Sequence, residues 1–88
     1  MKTIHELCKD AEQFLMIYGG PSRRVVRLIG DLRSPSIDSL KKMQKYLLAF
    51  YGDVAGTKLT GADGLDMDEA YAARLYREIS EVLQSNQQ

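Results

Sequence analysis

Residues 14–47 read FLMIYGGPSRRVVRLIGDLRSPSIDSLKKMQKYL, and this stretch decides the fold. Gly19 and Gly20 stop whatever helix precedes them, because glycine tolerates the left-handed conformation in which helices end. Pro21 opens the next segment, since the first helical turn has no intrahelical N–H bond for proline to lose. Val25, Leu28 and Ile29 form a short apolar stripe, while Arg23, Arg24 and Arg27 fall largely off it. The pattern predicts a helix over 21–29, ending near Gly30 and Asp31. Ser34-Pro35-Ser36 is a second start signal, with either serine able to cap. Ile37, Leu40, Met43, Leu47, Phe50 and Tyr51 then recur at helical spacing, with Lys41, Lys42 and Lys45 on other faces. That predicts a helix over 35–51, stopped at Gly52.

Outward from this centre the same rules apply. On the N-terminal side, Ile4, Leu7, Cys8, Ala11, Phe14, Leu15 and Tyr18 keep one apolar face over residues 3–18. Thr3 followed by Glu6 makes a capping box. On the C-terminal side, residues 53–65 hold Gly56, Gly61 and Gly64 and show no period, so they read as a loop. A last helix is expected over 66–84, with Asp66 and Glu69 as another capping pair and Ala72, Leu75, Tyr76, Ile79, Val82 and Leu83 as its stripe. Residues 85–88 read as a polar tail. Nothing alternates with period two for long enough to be a strand. The expected class is all-α. Its organisation is a helix-turn-helix unit over 1–52, a Gly-rich loop, and a C-terminal helix for packing or dimerisation.

An 88-residue chain is one small domain with a thin core. Its composition, 44% hydrophobic and 27% charged, is that of a folded domain and not of a disordered segment. The zero net charge hides an asymmetry. Residues 1–20 carry −1, residues 21–45 carry +5, and residues 46–88 carry −4. Such a distribution says more about partners than the total does. One cysteine, Cys8, makes no internal disulfide and fits a reducing compartment. The longest apolar run, 14–18, is far short of the roughly 20 residues that span a bilayer. The expectation is a cytoplasmic protein without a membrane partner.

The residues that carry chemistry are few. His5, Cys8 and Glu12 share a helix face, but a closed zinc site takes four ligands and the chain has one His and one Cys. Cys8 also lies on the apolar stripe, where a thiol packs as a small hydrophobe. No glycine-rich elbow accompanies a serine, and the 61–64 segment lacks the lysine of a phosphate loop. Asp63, Asp66 and Asp68 do not follow calcium-loop spacing and read as caps for the last helix. No enzyme activity, metal or cofactor is expected.

Residues 14–47 resemble the helix-turn-helix DNA-binding domains of the phage Cro/repressor (XRE-like) family. The resemblance lies in the apolar helix end Phe14-Leu15, Gly19 after three intervening residues, the short Arg-rich helix with its tight exit, and Ser34-Pro35-Ser36-Ile37-Asp38-Ser39-Leu40. It implies that Val25 and Leu28 face the core, and that Ser22, Arg23 and Arg27 face base edges in the major groove. Arginine bonds guanine O6 and N7 in a bidentate fashion, and Arg23 and Arg27, four apart, share a helix face. Arg24, Arg33 and Lys41 are then phosphate candidates, supplying affinity and register.

The expected function is a sequence-specific transcriptional regulator, bacterial or phage, that binds double-stranded operator DNA as a homodimer through residues 21–30. Leu75, Ile79 and Val82 either pair across a two-fold axis or complete the monomer core. The rival reading is a helical protein-binding module, an anti-activator or adaptor, with Met16, Ile17, Tyr76 and Leu83 forming a docking groove.

Overall fold

The computed structural model describes residues 2–57 and 67–86. Four α-helices and no strand occur among them, as the period of the apolar positions requires. Helix α1, Ile4–Tyr18, starts on the expected box. The Thr3 hydroxyl accepts from the Glu6 N–H at 3.1 Å, and the Glu6 carboxylate accepts from the Thr3 N–H at 3.0 Å. Hydrogen bonds from Thr3 hold the Glu6 carboxyl below its ordinary value. Leu7, Cys8, Ala11, Phe14 and Leu15 form the buried face.

The α1–α2 turn divides its work between two glycines. Gly19 caps α1, donating its N–H to the Leu15 carbonyl at 2.8 Å, and Gly20 takes the left-handed conformation with φ 74°. A Cβ on Gly19 would lie 2.5 Å from the Leu15 oxygen and 2.7 Å from Val25 Cγ1, so the missing side chain lets α2 approach closely.

Helix α2 is Arg23–Leu32, later at both ends than the 21–29 expected. Pro21 lies outside because Ser22 is the cap, its hydroxyl accepting from the Val25 N–H at 3.1 Å. Gly30 does not end the helix, because Leu32 belongs to the same buried stripe as Val25 and Leu28 and holds one further turn in place.

Helix α3 is Ile37–Thr57. Ser36 starts it, its hydroxyl accepting from the Ser39 N–H at 3.1 Å. The expected stop at Gly52 does not occur. The helix bends at Tyr51 (φ −132°, ψ 28°) and continues to Thr57. The backbone of 53–57 is therefore helical where a loop was expected, and the rest of the expected loop, with Asp66, lies outside the described residues. Tyr51 packs edge-on against Phe14 and donates its hydroxyl to Asp68 at 3.3 Å, which fixes the bend against α4.

Helix α4 is Met67–Ser85, so Ser85 belongs to the helix and not to the tail. Leu75 and Ile79 are wholly buried and Val82 is 3% exposed. These three complete one core shared with Leu7, Phe14, Leu15, Leu28, Leu40, Met43 and Leu47. Of the two expected uses of Leu75, Ile79 and Val82, this arrangement is the packing one: α1 and α3 cover the stripe within a single chain. The C-terminal helix is accordingly an integral part of the core.

Candidate nucleic-acid interface

With Val25, Leu28 and Leu32 turned inward, the geometry of a ten-residue helix throws Arg23, Arg24, Val26 and Arg27 outward. Arg23, Arg24 and Arg27 join Lys42 and Lys45 of α3 around a cleft of about 380 Å³, with Leu28 and Asp31 also in its wall. Lys42 pairs with Asp31 at 3.3 Å. Arg23, Arg24, Arg27 and Lys45 have no carboxylate partner among the described residues. Four cations on one concave face, with a single neutralised pair beside them, make a strongly electropositive surface.

The aromatic edge of this cleft is organised. Tyr46 and Phe50 are one helical turn apart on α3, with ring centroids at 4.7 Å. The Arg24 guanidinium carbon lies 5.3 Å from the Phe50 centroid and 5.8 Å from that of Tyr46, within cation–π range of both. Tyr46 is buried, and burial pushes its phenol up. Phe50 is 59% exposed, although its spacing assigned it to the core stripe.

The other expected site residues are placed as follows. Ser22 is exposed but serves as the α2 cap. Arg33 donates from Nε to Glu12 of α1 at 2.8 Å and does not line the cleft; its first role is to tie the end of α2 to α1. Lys41 is exposed and lies off the cleft, whose α3 wall is made by Lys42 and Lys45 instead. Those two lysines, with Tyr46 and Phe50, were missed as site residues. Their spacing of three, four and eight from Lys42 marks one helix face and was readable in the sequence.

The α2–α3 joint is held from beneath. Ser39 is 4% exposed, and its hydroxyl faces the carbonyls of Asp31 at 2.7 Å and Ser34 at 3.2 Å. These contacts satisfy the end of α2 and set its angle to α3.

Among the described residues the side chains of the other candidate sites are placed as follows. Cys8 is fully buried, with its thiol pushed up by burial, while His5 is exposed. No group of three His, Cys, Asp or Glu side chains suited to a metal occurs among the described residues. Leu83 is 5% exposed and belongs to the core, so the groove expected from Met16, Ile17, Tyr76 and Leu83 does not form, though Met16 and Ile17 are each 64% exposed. No helix among the described residues is long and apolar enough to cross a membrane. Compared with known proteins, the chain matches no family model, no curated protein and no solved structure.

Proposed function

We propose that the chain is a cytoplasmic DNA-binding transcriptional regulator that lays α2 against the major groove of an operator. The observation that carries this reading is the outward row of Arg23, Arg24 and Arg27, continued by Lys45, without carboxylate partners among the described residues. Arg23 and Arg27 are the base-reading pair, because they lie one turn apart on an exposed face of a short capped helix. Arg24, Lys42 and Lys45 take phosphates and set register. Symmetric operators call for a two-fold dimer, and its contact surface lies elsewhere than on Leu75, Ile79 and Val82.

The test is fluorescence anisotropy with DNA flanking the chain's own gene, at several salt concentrations, for the parent, Arg23→Ala and Arg27→Ala. The expected result is a log–log salt slope of about −0.9 per phosphate neutralised, with each variant losing discrimination worth about 1–3 kcal/mol. Folded variants that bind as well as the parent remove the base-reading assignment. The rival reading, a protein-binding module, is favoured by the exposure of Met16 and Ile17. It predicts association that barely responds to salt.

A further inference from the structure

Among the cleft cations, Lys42 is held by Asp31, and the Arg24 guanidinium is held by aromatic rings. Its carbon sits 5.3 Å from the Phe50 centroid and 5.8 Å from the Tyr46 centroid. It makes no hydrogen bond or ion pair among the described residues. The rings lie within cation–π range of the guanidinium, and its N–H donors have no acceptor among the described residues. That division suits a planar group, which stacks through its face and bonds through its edge. Stacked guanidinium groups with unspent donors match the two oxygens of a phosphate, and less freedom is lost on binding when the plane is already set.

We infer that Arg24 is a phosphate clamp whose plane is set by Phe50 and Tyr46, which makes Phe50 a positioning residue. The identity of the phosphate as a phosphodiester of DNA rests on the function proposed above; the clamp itself does not. An exposed phenylalanine at the edge of a charged cleft has no use in the core, and the clamp supplies one. Lys45, in the wall of the same cleft, then neutralises the second charge that a neighbouring phosphate brings.

Two readouts test the inference. The first is the Arg24 Nε–H resonance in the free protein, which ring currents displace while the guanidinium stays over the rings. Phe50→Ala returns it toward the ordinary position, and Phe50→Trp keeps it displaced. Phe50 is largely exposed, so the unfolding midpoint changes little in either variant. The second readout is titration of the same resonance with inorganic pyrophosphate and with the DNA duplex, together with duplex affinities for a double-variant cycle.

The expected results are that both probes move the resonance and that Arg24→Lys, which keeps charge but not the planar fork, weakens duplex binding about five- to tenfold. Phe50→Ala weakens it about two- to fivefold, the size of one exposed cation–π contact, and has no further effect in an Arg24→Ala background. The clamp is overturned if Phe50→Ala binds like the parent, if it weakens binding equally with and without Arg24, or if neither probe moves the resonance. Pyrophosphate moving Arg24 while the duplex does not bind leaves the clamp standing and removes the DNA reading. A duplex that binds without moving Arg24 does the reverse.

Discussion

Asp10 joins three parts of the chain. Its carboxylate accepts from Lys2 at 2.9 Å, from Arg74 at 3.0 Å, and from the hydroxyl of Tyr71, while Lys2 and Arg74 both reach Glu78 as well. Burial pushes the Asp10 carboxyl up, but the bonds from Tyr71, Lys2 and Arg74 together outweigh it and leave the group below its ordinary value. Burial and Asp10 push the Tyr71 phenol up to about 12, so it remains a donor at neutral pH. A carboxyl with a depressed folded value stabilises the protein above its unfolded value of about 3.9 and loses that contribution as pH falls through the folded one. Asp10→Asn is therefore expected to cost about 1–3 kcal/mol at pH 7 and to flatten the fall in stability on the acid side of about pH 4. Urea unfolding of parent and variant at pH 7 and pH 3 checks both parts, and an equal loss at the two pH values contradicts the assignment. At the same scale, Gly19→Ala is expected to destabilise by about 1–3 kcal/mol, because the new Cβ meets the Leu15 carbonyl and Val25 at 2.5 and 2.7 Å in a packed joint.

Helix α2 is a short element that needs its ends defined and its angle fixed. Ser22→Ala removes the hydroxyl that accepts from Val25 and is expected to cost about 1 kcal/mol. Gly30 has the opposite sense. It lies inside the helix on the exposed side, and a Cβ there meets nothing within 4 Å. Gly30→Ala is expected to raise stability by about 0.5–1 kcal/mol, since alanine loses less chain entropy on entering a helix. Thermal unfolding of the two single variants and their combination checks the signs. Were Gly30 a true helix terminus, as its place after Ile29 suggests, the alanine would give no such gain. Ser39 acts at the same level: Ser39→Ala removes the buried hydroxyl shared between the Asp31 and Ser34 carbonyls, leaves Asp31 with only the Ser34 N–H, and loosens the angle between α2 and α3.

For the molecule as a whole, the decisive fact is that α4 closes the core. Truncating Ile79 to alanine is expected to cost about 2–5 kcal/mol, with the same dependence of the unfolding midpoint on protein concentration in parent and variant. A midpoint that rises with concentration in the parent and ceases to do so in the variant would instead place Ile79 between two copies. The charge asymmetry is also a property of the whole fold. The basic cleft is built by α2 and the first half of α3, whereas Asp10, Glu78 and Asp68 are engaged by Lys2, Arg74 and Tyr51 around α4. Among the described residues these acidic groups are committed to contacts away from the cleft, whose lining holds more cations than carboxylates, the balance that suits a polyanionic partner.

The helices were legible because their evidence is local. Apolar spacing, the Thr3–Glu6 box, the double glycine and the serine starts all act within a few residues. So was the outward row of Arg23, Arg24 and Arg27, since a stripe of Val25 and Leu28 leaves no other direction for them. Three features lay beyond local reading. The ends of α2 and α3 were misplaced because Leu32 and Tyr51 gain more from the core than Gly30 and Gly52 lose as helical residues. The destination of the α4 stripe depended on whether another helix of the same chain or a second chain covered it; an apolar face carries no address, and only the packing of α1 and α3 against it supplies one. Lys42 and Lys45 in the α3 wall of the cleft, and the Tyr46 and Phe50 rings beside Arg24, meet α2 because the Ser39 contacts fix the angle of α2 to α3, and that angle is a property of the assembled core rather than of either helix alone.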